Sequence, residues 1–313
     1  MSQVRVALFG AGAMGSNHAR VIAESKHAKL SCIVDPYEPF GTALAERFGT
    51  RWVADASQLP EVDAIVVATA TEAHFAAAHD FVASGVHALI EKPLTSSLAE
   101  SSVLVNASRA ADSVLMCGLL ERFNPAVLTA ERFIHEPRHV VAIRHSPFTP
   151  RIKTHVAWDL MIHDVDLAIR VFGSEPVSAR SVSMNVASDN GVADVSDAIL
   201  QFAGGPIASI SSSRASQRKI RSVSISQAEK LIEVDLLRRN VTLFHNVQES
   251  DADDGRGYRQ AAVIEIPELT SSVEPLTAQF DHFAKLISGE ADRAAERDSI
   301  LAPHRALEAL LAP

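Results

Sequence analysis

Three groups of residues have the types and the spacing that chemistry needs. The first is Gly10-Ala11-Gly12-Ala13-Met14-Gly15, with Asp35 following 20 residues after the last glycine. The glycines come directly after an apolar run, Val4–Phe9, and before a helix-like stretch. In that context Gly10 allows a tight turn, Gly12 lets a diphosphate approach the backbone, and Gly15 lets helix and strand pack closely. The free N–H groups at the helix start, at Ala13 and Met14, and the positive end of the helix dipole would then hold the diphosphate. Asp35 ends a second apolar run, where a carboxylate accepts hydrogen bonds from an adenosine ribose. Its charge repels a 2′-phosphate, so NAD is favoured over NADP. The plain alternative is an ordinary strand-to-helix turn with Asp35-Pro36 opening another.

The second group is Glu91-Lys92-Pro93, which closes the apolar run His87–Ile90 with an acid, a base and a ring. Ligands of open α/β sheets sit at strand C-termini, so Lys92 can point at a bound substrate. A solvated strand end is the alternative. The third group is Asp159, His163 and Asp166, spaced i, i+4 and i+7 and therefore on one face of a helix over Ala157–Phe172. The rest of that helix is mostly large and apolar, as in a helix buried nearly all round. Ionisable groups on such a helix need a cavity or partners, because unpaired burial is expensive. A structural Asp–His pair is one alternative. A metal site completed by His145 or His155 is another, which a nearby Lys92 would disfavour, and no metal is expected.

The elements that must position these groups fall into two sets. Up to about residue 120, apolar runs (Val4–Phe9, Leu30–Val34, Ala64–Ala68, His87–Ile90, Val114–Cys117) alternate with helix-like stretches (Met14–Ser25, Gly41–Phe48, Glu72–Ser84, Leu98–Ala110). Continuous apolar runs suit strands buried on both faces, so this is a doubly wound parallel α/β sheet. After the helix at Ala157–Phe172 come runs at Ser178–Asn185, Ala198–Phe202, Ile207–Ser213, Arg221–Gln227 and Leu231–Asp235. Several alternate polar with apolar residues, the pattern of an antiparallel sheet with one wet face. Gly204-Gly205 marks a hairpin turn, Glu249–Gly257 a polar surface loop, and Leu276–Ile287 and Ser299–Leu311 return to helix. The expected architecture is an N-terminal Rossmann domain over 1–121 and a C-terminal α+β domain over 122–313, with a large, mostly antiparallel open sheet.

Composition narrows the class. Of 313 residues 47% are hydrophobic and 21% charged, ordinary for a globular chain and enough for two cores. A net charge of −9 argues against nucleic acid as a partner. No apolar run is long enough to span a membrane. The N-terminus has no basic n-region or cleavage site, and Cys32 and Cys117 alone cannot build a disulfide framework, so a reduced, cytoplasmic setting is expected.

Together, Gly10–Gly15, Ala68-Thr69-Ala70-Thr71 with His74, Glu91-Lys92-Pro93, and Asp159 with His163 resemble the Gfo/Idh/MocA oxidoreductases over nearly the whole chain. The resemblance implies a Rossmann domain, a C-terminal α/β domain whose open sheet often forms the oligomer interface (a homodimer or homotetramer), and a nicotinamide cofactor. It implies a sugar, cyclitol or nucleotide-sugar substrate. It also implies that Thr69, Thr71 and His74 line the cofactor, that Glu91 lies near its nicotinamide end, that Lys92 is catalytic, and that Asp159 and His163 are the substrate-side pair.

Oxidising a carbinol requires the hydroxyl proton to leave as hydride goes to NAD. Histidine ordinarily titrates near neutrality and lysine far above it. His163 is therefore expected as general base, Lys92 as the cation that stabilises the developing alkoxide, and Asp159 as the group that orients the imidazole. A desolvated Lys92 would exchange roles with His163. At the junction, Arg122-Phe123-Asn124-Pro125 puts Arg122 and Asn124 in reach of a sugar or phosphate, with a domain-bridging salt bridge as the alternative for Arg122. His145, Arg144 and Arg151 could add donors for a diphosphate. Within the family these segments look most like the branch that oxidises UDP-N-acetylglucosamine at its 3-position, although Leu119 stands where that branch often has histidine or another polar residue. An inositol or free-aldose dehydrogenase, or a non-catalytic NAD(H) sensor, are the other readings.

Overall fold

The computed structural model describes residues 3–149, 152, 154–186, 191–250 and 258–312. Arg151 and residues 251–257 of the expected polar loop lie outside them. The chain divides into two compact units, Met1–Leu120 with Pro275–Arg305, and Glu121–Glu274 with Ala306–Pro313.

The first unit opens with β1 (Val4–Phe9), α1 (Ala13–Glu24), β2 (Ala28–Val34), α2 (Glu38–Phe48) and β3 (Arg51–Val53). It continues through β4 (Ala64–Val67), α3 (Thr71–Ala83), β5 (His87–Glu91), α4 (Leu98–Ala110) and β6 (Leu115–Gly118). The strands form one six-stranded sheet ordered β3-β2-β1-β4-β5-β6, every neighbouring pair parallel. Such a sheet is covered on both faces, and β4 is accordingly buried throughout as Ala64-Ile65-Val66-Val67. The order reverses between β1 and β4, and the crevice beyond the strand ends at such a reversal is where doubly wound sheets take ligands.

The second unit holds α5 (Pro125–Glu131), β7 (His139–His145), a π-helical turn at Ala157–Met161, α6 (Ile162–Phe172), β8 (Ser178–Met184), β9 (Val195–Gln201) and β10 (Ile207–Ser213). It adds β11 (Ile220–Ser226), β12 (Lys230–Asp235), β13 (Asn240–Ser250) and β14 (Tyr258–Glu265). These build an eight-stranded sheet ordered β14-β13-β12-β11-β7-β10-β9-β8, antiparallel except for the β7–β10 pair. The expected strands are present, and Gly204 and Gly205 turn β9 into β10 with φ of 82° and 107°. Four strands escaped the sequence reading, β3 in the first unit and β7, β13 and β14 in this one. In β7 the alternating positions are only half-buried, and Glu249 and Ser250 of the presumed loop end β13. The single expected helix is two segments, because a π turn precedes α6. Asp159 lies on the π turn, and His163 and Asp166 lie on α6.

The chain closes with α7 (Pro275–Ser288), α8 (Arg293–Ser299) and α9 (Leu301–Leu311). The expected boundary was at residue 121; the first break falls after Leu120, and residues 275–305 group with the first unit rather than with 121–274. The reason is specific bonding. Arg297 donates to Ser108 Oγ and the Ser113 carbonyl, and the His304 Nε2 accepts from the Leu94 amide at 3.0 Å. Among the described residues no helix is long and apolar enough to cross a membrane.

Candidate active site

In the first unit the glycine loop is held by close packing. Gly10 has φ 96°, and a Cβ there would lie 2.6 Å from the Ala68 carbonyl oxygen at the end of β4. A Cβ at Gly15 would collide with the Gly10 carbonyl. Gly12, in contrast, faces open space and caps α1 with no side-chain hydrogen bond, and no acid occupies the first turn. Ala13 and Met14 are exposed beside it. An uncapped, acid-free helix start with nothing over its backbone fits the diphosphate of a dinucleotide.

Asp35 follows β2 and braces this loop directly. Its Oδ2 accepts from the Ala11 amide at 2.6 Å and its Oδ1 from the Tyr37 amide at 2.8 Å. The carboxylate therefore stands at the loop, as the spacing required, with lone pairs remaining for ribose hydroxyls.

Beyond β4, Thr69 is half-buried and Thr71 begins α3. His74, also on α3, has its ring fully buried between two carbonyls, Pro93 at 3.0 Å from Nδ1 and Thr69 at 3.3 Å from Nε2. Burial pushes its pKa down against those two bonds, which favours the neutral ring. It ties the β4 loop to the cis Lys92–Pro93 peptide and acts through them, since its ring presents no surface of its own.

At the end of β5 lies a residue that the sequence reading missed. His18 of α1 is buried and its Nε2 lies 2.9 Å from Glu91 Oε1, while Glu91 Oε2 accepts from the Lys92 amide at 3.2 Å. Burial works to raise the Glu91 pKa, but the His18 bond and the charge of Lys92 outweigh it and hold the carboxyl below its ordinary range. Gly118 on the neighbouring β6 leaves room for this pair, since a Cβ there would lie 3.0 Å from Glu91 Oε2. The available signal was the buried stripe Gly15, His18, Ala19, Ile22, in which a histidine sits among small and apolar residues. Lys92 itself is half-buried beside them.

In the second unit, Asp159 lies on the π turn and His163 on the first turn of α6, both half-buried. Arg214, fully buried after β10, approaches Asp159 Oδ2 at 3.5 Å and also binds the Thr154 carbonyl at 2.7 Å and Asp194 at 3.4 Å. His155 is held near neutral by burial and by the charge of Arg214, and its Nδ1 accepts from the Ala157 amide.

Three expected substrate contacts are otherwise engaged. Arg122 donates from Nε and Nη2 to Asp166 at 2.8 and 2.6 Å, both side chains deeply buried, so the salt-bridge alternative holds, within one unit. That pair also satisfies Asp166, which accounts for one member of the polar stripe. Asn124 caps α5 through Oδ1, and its amide donates to Glu121 Oε2 at 3.0 Å and the Leu236 carbonyl at 3.1 Å, using both donors. His145 lies on the face of β7 opposite to Arg144, and its Nε2 meets Ser211 Oγ at 2.9 Å. Arg144 faces α6 instead, donating to both oxygens of Asp164 and to Glu121. Alternation along a strand separates adjacent residues onto opposite faces, so His145 cannot join the groups on α6. Burial raises the Glu121 pKa, but Arg144 overcomes this and keeps it ionised.

Comparison with known proteins agrees with both halves of this arrangement. Residues 4–119 match the Gfo/Idh/MocA oxidoreductase family with its NAD-binding Rossmann fold, and residues 128–229 match the Gfo/Idh/MocA C-terminal domain. The chain is 31% identical over 248 residues to UDP-N-acetylglucosamine 3-dehydrogenase of Acidithiobacillus ferrooxidans, covering 78% of each chain. It is 28% identical over 228 residues to inositol 2-dehydrogenase of Rhizobium meliloti, covering 67% of this chain and 69% of that one. The solved structure of the Acidithiobacillus enzyme, GnnA, superposes with a TM-score of 0.84 at 28% identity, over 99% of this chain and 98% of that one. These matches cover both halves of the sequence, and the chain belongs to the Gfo/Idh/MocA family of NAD-binding oxidoreductases, dehydrogenases acting on CH–OH groups.

Proposed function

We propose that this protein oxidises a secondary alcohol of a nucleotide sugar with NAD, UDP-N-acetylglucosamine being the leading substrate. The observation that carries the cofactor choice is Asp35, fixed against the glycine loop by the Ala11 amide. Glu38 opens α2 only three residues later, so a 2′-phosphate would meet two carboxylates, and NAD is preferred to NADP. The substrate choice is supported by the 31% identity to a UDP-N-acetylglucosamine 3-dehydrogenase.

When bound, the dinucleotide supplies the hydride acceptor. Gly10, Gly12, Ala13, Met14 and Gly15 hold its diphosphate, Asp35 its ribose, and Thr69, Thr71 and Glu91 flank the rest, with His74 and His18 as positioning residues. His163 accepts the hydroxyl proton. Lys92 stabilises the alkoxide, and Asp159 orients the imidazole. The exposed face of the C-terminal sheet, which carries Val182, Ile199 and Ile207, is the surface through which copies of the chain assemble.

The test follows NADH absorbance with UDP-N-acetylglucosamine, myo-inositol and free hexoses, each with NAD and with NADP. NADH formation from the nucleotide sugar is expected. Turnover of inositol alone would transfer the reading to the free cyclitols that several relatives take. NAD binding without any turnover would make the protein a sensor.

A further inference from the structure

The arginines on the helix-facing side of the C-terminal sheet are not equivalent. Arg122, Arg144 and Arg214 are almost fully buried, and each donates hydrogen bonds to a carboxylate. Arg221 differs. It pairs directly opposite Arg144 across β7 and β11, so both side chains emerge on the same face. Its side chain is 39% exposed, and its nearest counter-charge among the described residues is Glu121 Oε1 at 3.8 Å, beyond hydrogen-bond range. That oxygen already accepts from Arg144 at 2.8 Å, and the other Glu121 oxygen accepts from Asn124.

Two guanidinium groups side by side are unfavourable. Burial and the charge of Arg144 both lower the proton affinity of Arg221, and only part is restored by Glu121, Asp164 and Asp159. The last of these places Arg221 within electrostatic reach of the π turn that carries Asp159, four residues before His163. An anion between Arg221 and solvent would relieve the repulsion and occupy donors that none of the described residues uses. Just before β11, the exposed Arg218 and Lys219 add charge of the same sign. A planar guanidinium with open donors matches phosphate oxygens in a bidentate fashion, which a sugar hydroxyl would not require.

We propose that Arg221, supported by Arg218 and Lys219, is the subsite for the phosphates of a nucleotide-sugar substrate, an inference that rests on the nucleotide-sugar reading above. It separates nucleotide sugars from free cyclitols, which have no phosphate to offer.

The experiment titrates UDP and UDP-N-acetylglucosamine into the NAD-loaded protein by calorimetry, for the wild type, Arg221→Gln, Arg221→Lys and the surface double variant Arg218→Gln/Lys219→Gln, with steady-state kinetics alongside. Loss of one charge-assisted contact is expected to weaken UDP by about tenfold or more. For Arg221→Gln the KM for the nucleotide sugar should rise in parallel, with the loss in KM rather than kcat. Arg221→Lys should recover part of the affinity, and the double variant should flatten its salt dependence. If Arg221→Gln binds UDP as tightly as a wild type that turns over the nucleotide sugar, the subsite is elsewhere and the proposed function stands. If the wild type binds no UDP and oxidises only free polyols, the substrate reading fails and this inference with it.

Discussion

Removing the Arg122 side chain tests whether the junction arginine serves substrate or fold. Its Nε and Nη2 reach both oxygens of Asp166 at 2.8 and 2.6 Å, and the two side chains are 6% and 2% exposed. Arg122→Ala leaves a carboxylate in a place where water cannot replace the lost partner. Breaking a buried pair from one side costs about 3–5 kcal/mol, whereas replacing both partners with apolar residues of similar volume is often neutral. Against a stability of about 5–15 kcal/mol this is a large fraction. With a urea dependence of about 2 kcal/mol/M, a loss of 4 kcal/mol moves the midpoint by about 2 M. Trp158, the tryptophan of the second unit, reports the transition by its fluorescence.

The expected pattern is a large fall in midpoint for Arg122→Ala and for Asp166→Ala, and recovery in Arg122→Met/Asp166→Leu. The recovered double variant should keep the KM of the wild type. A midpoint shift below about 0.5 M for Arg122→Ala, about 1 kcal/mol at that slope, combined with a tenfold higher KM, would refute the reasoning and return Arg122 to the substrate.

Other outcomes follow from the same geometry. Gly15→Ala should abolish NAD binding or folding of the first unit, because the added methyl meets the Gly10 carbonyl, and calorimetry with NAD checks it. Glu91 has a depressed folded pKa, so the stability it contributes is present above the ordinary carboxylate range and is lost as pH falls through that range toward the folded value. Glu91→Gln should therefore flatten the acid limb of a stability–pH curve. Lys92→Arg should keep near-normal activity with an unshifted pH–rate profile if the lysine supplies charge, and His163→Gln should cost about 10²–10⁴-fold in kcat as the loss of a general base.

The Rossmann half was legible because its signals are local and stacked. Apolar runs fix β1, β2, β4, β5 and β6, and the glycines and Asp35 lie where these runs end. Even there the sequence hid a layer of bonding. That Asp35 holds the Ala11 amide, or that His18 holds Glu91 across 73 residues, depends on which elements become neighbours, and no single window contains both partners. The second unit was harder to read for a related reason. In β7, with the sequence HVVAIRH, one face carries Arg144 into a buried ion pair, so a charge replaces the apolar residue that alternation would supply. Arg122 and Asn124 were chosen for their chemistry at the junction and His145 as a donor before the helix, but sequence gives polarity without direction. Two of them point into the core of their unit and the third to the opposite face of the sheet.

The polar groups of the second unit fall into two kinds by burial. Asp164 and Asp166 are deeply buried acids, and each meets a guanidinium fork, Arg144 and Arg122 respectively. Such forks use up donors and acceptors together, which is what makes burial tolerable and also what removes these groups from chemistry. Asp159, His163 and Arg221 share a different situation, since all three are only half-buried. Arg214 approaches Asp159 from one side at 3.5 Å rather than in a fork, and Glu121 stands 3.8 Å from Arg221. The two forks are tight and buried, whereas the contacts at Asp159 and Arg221 are longer and open in part to solvent. On the proposed function, this looser region is where Asp159 orients the imidazole, His163 takes the proton and Arg221 anchors the phosphates of a nucleotide sugar.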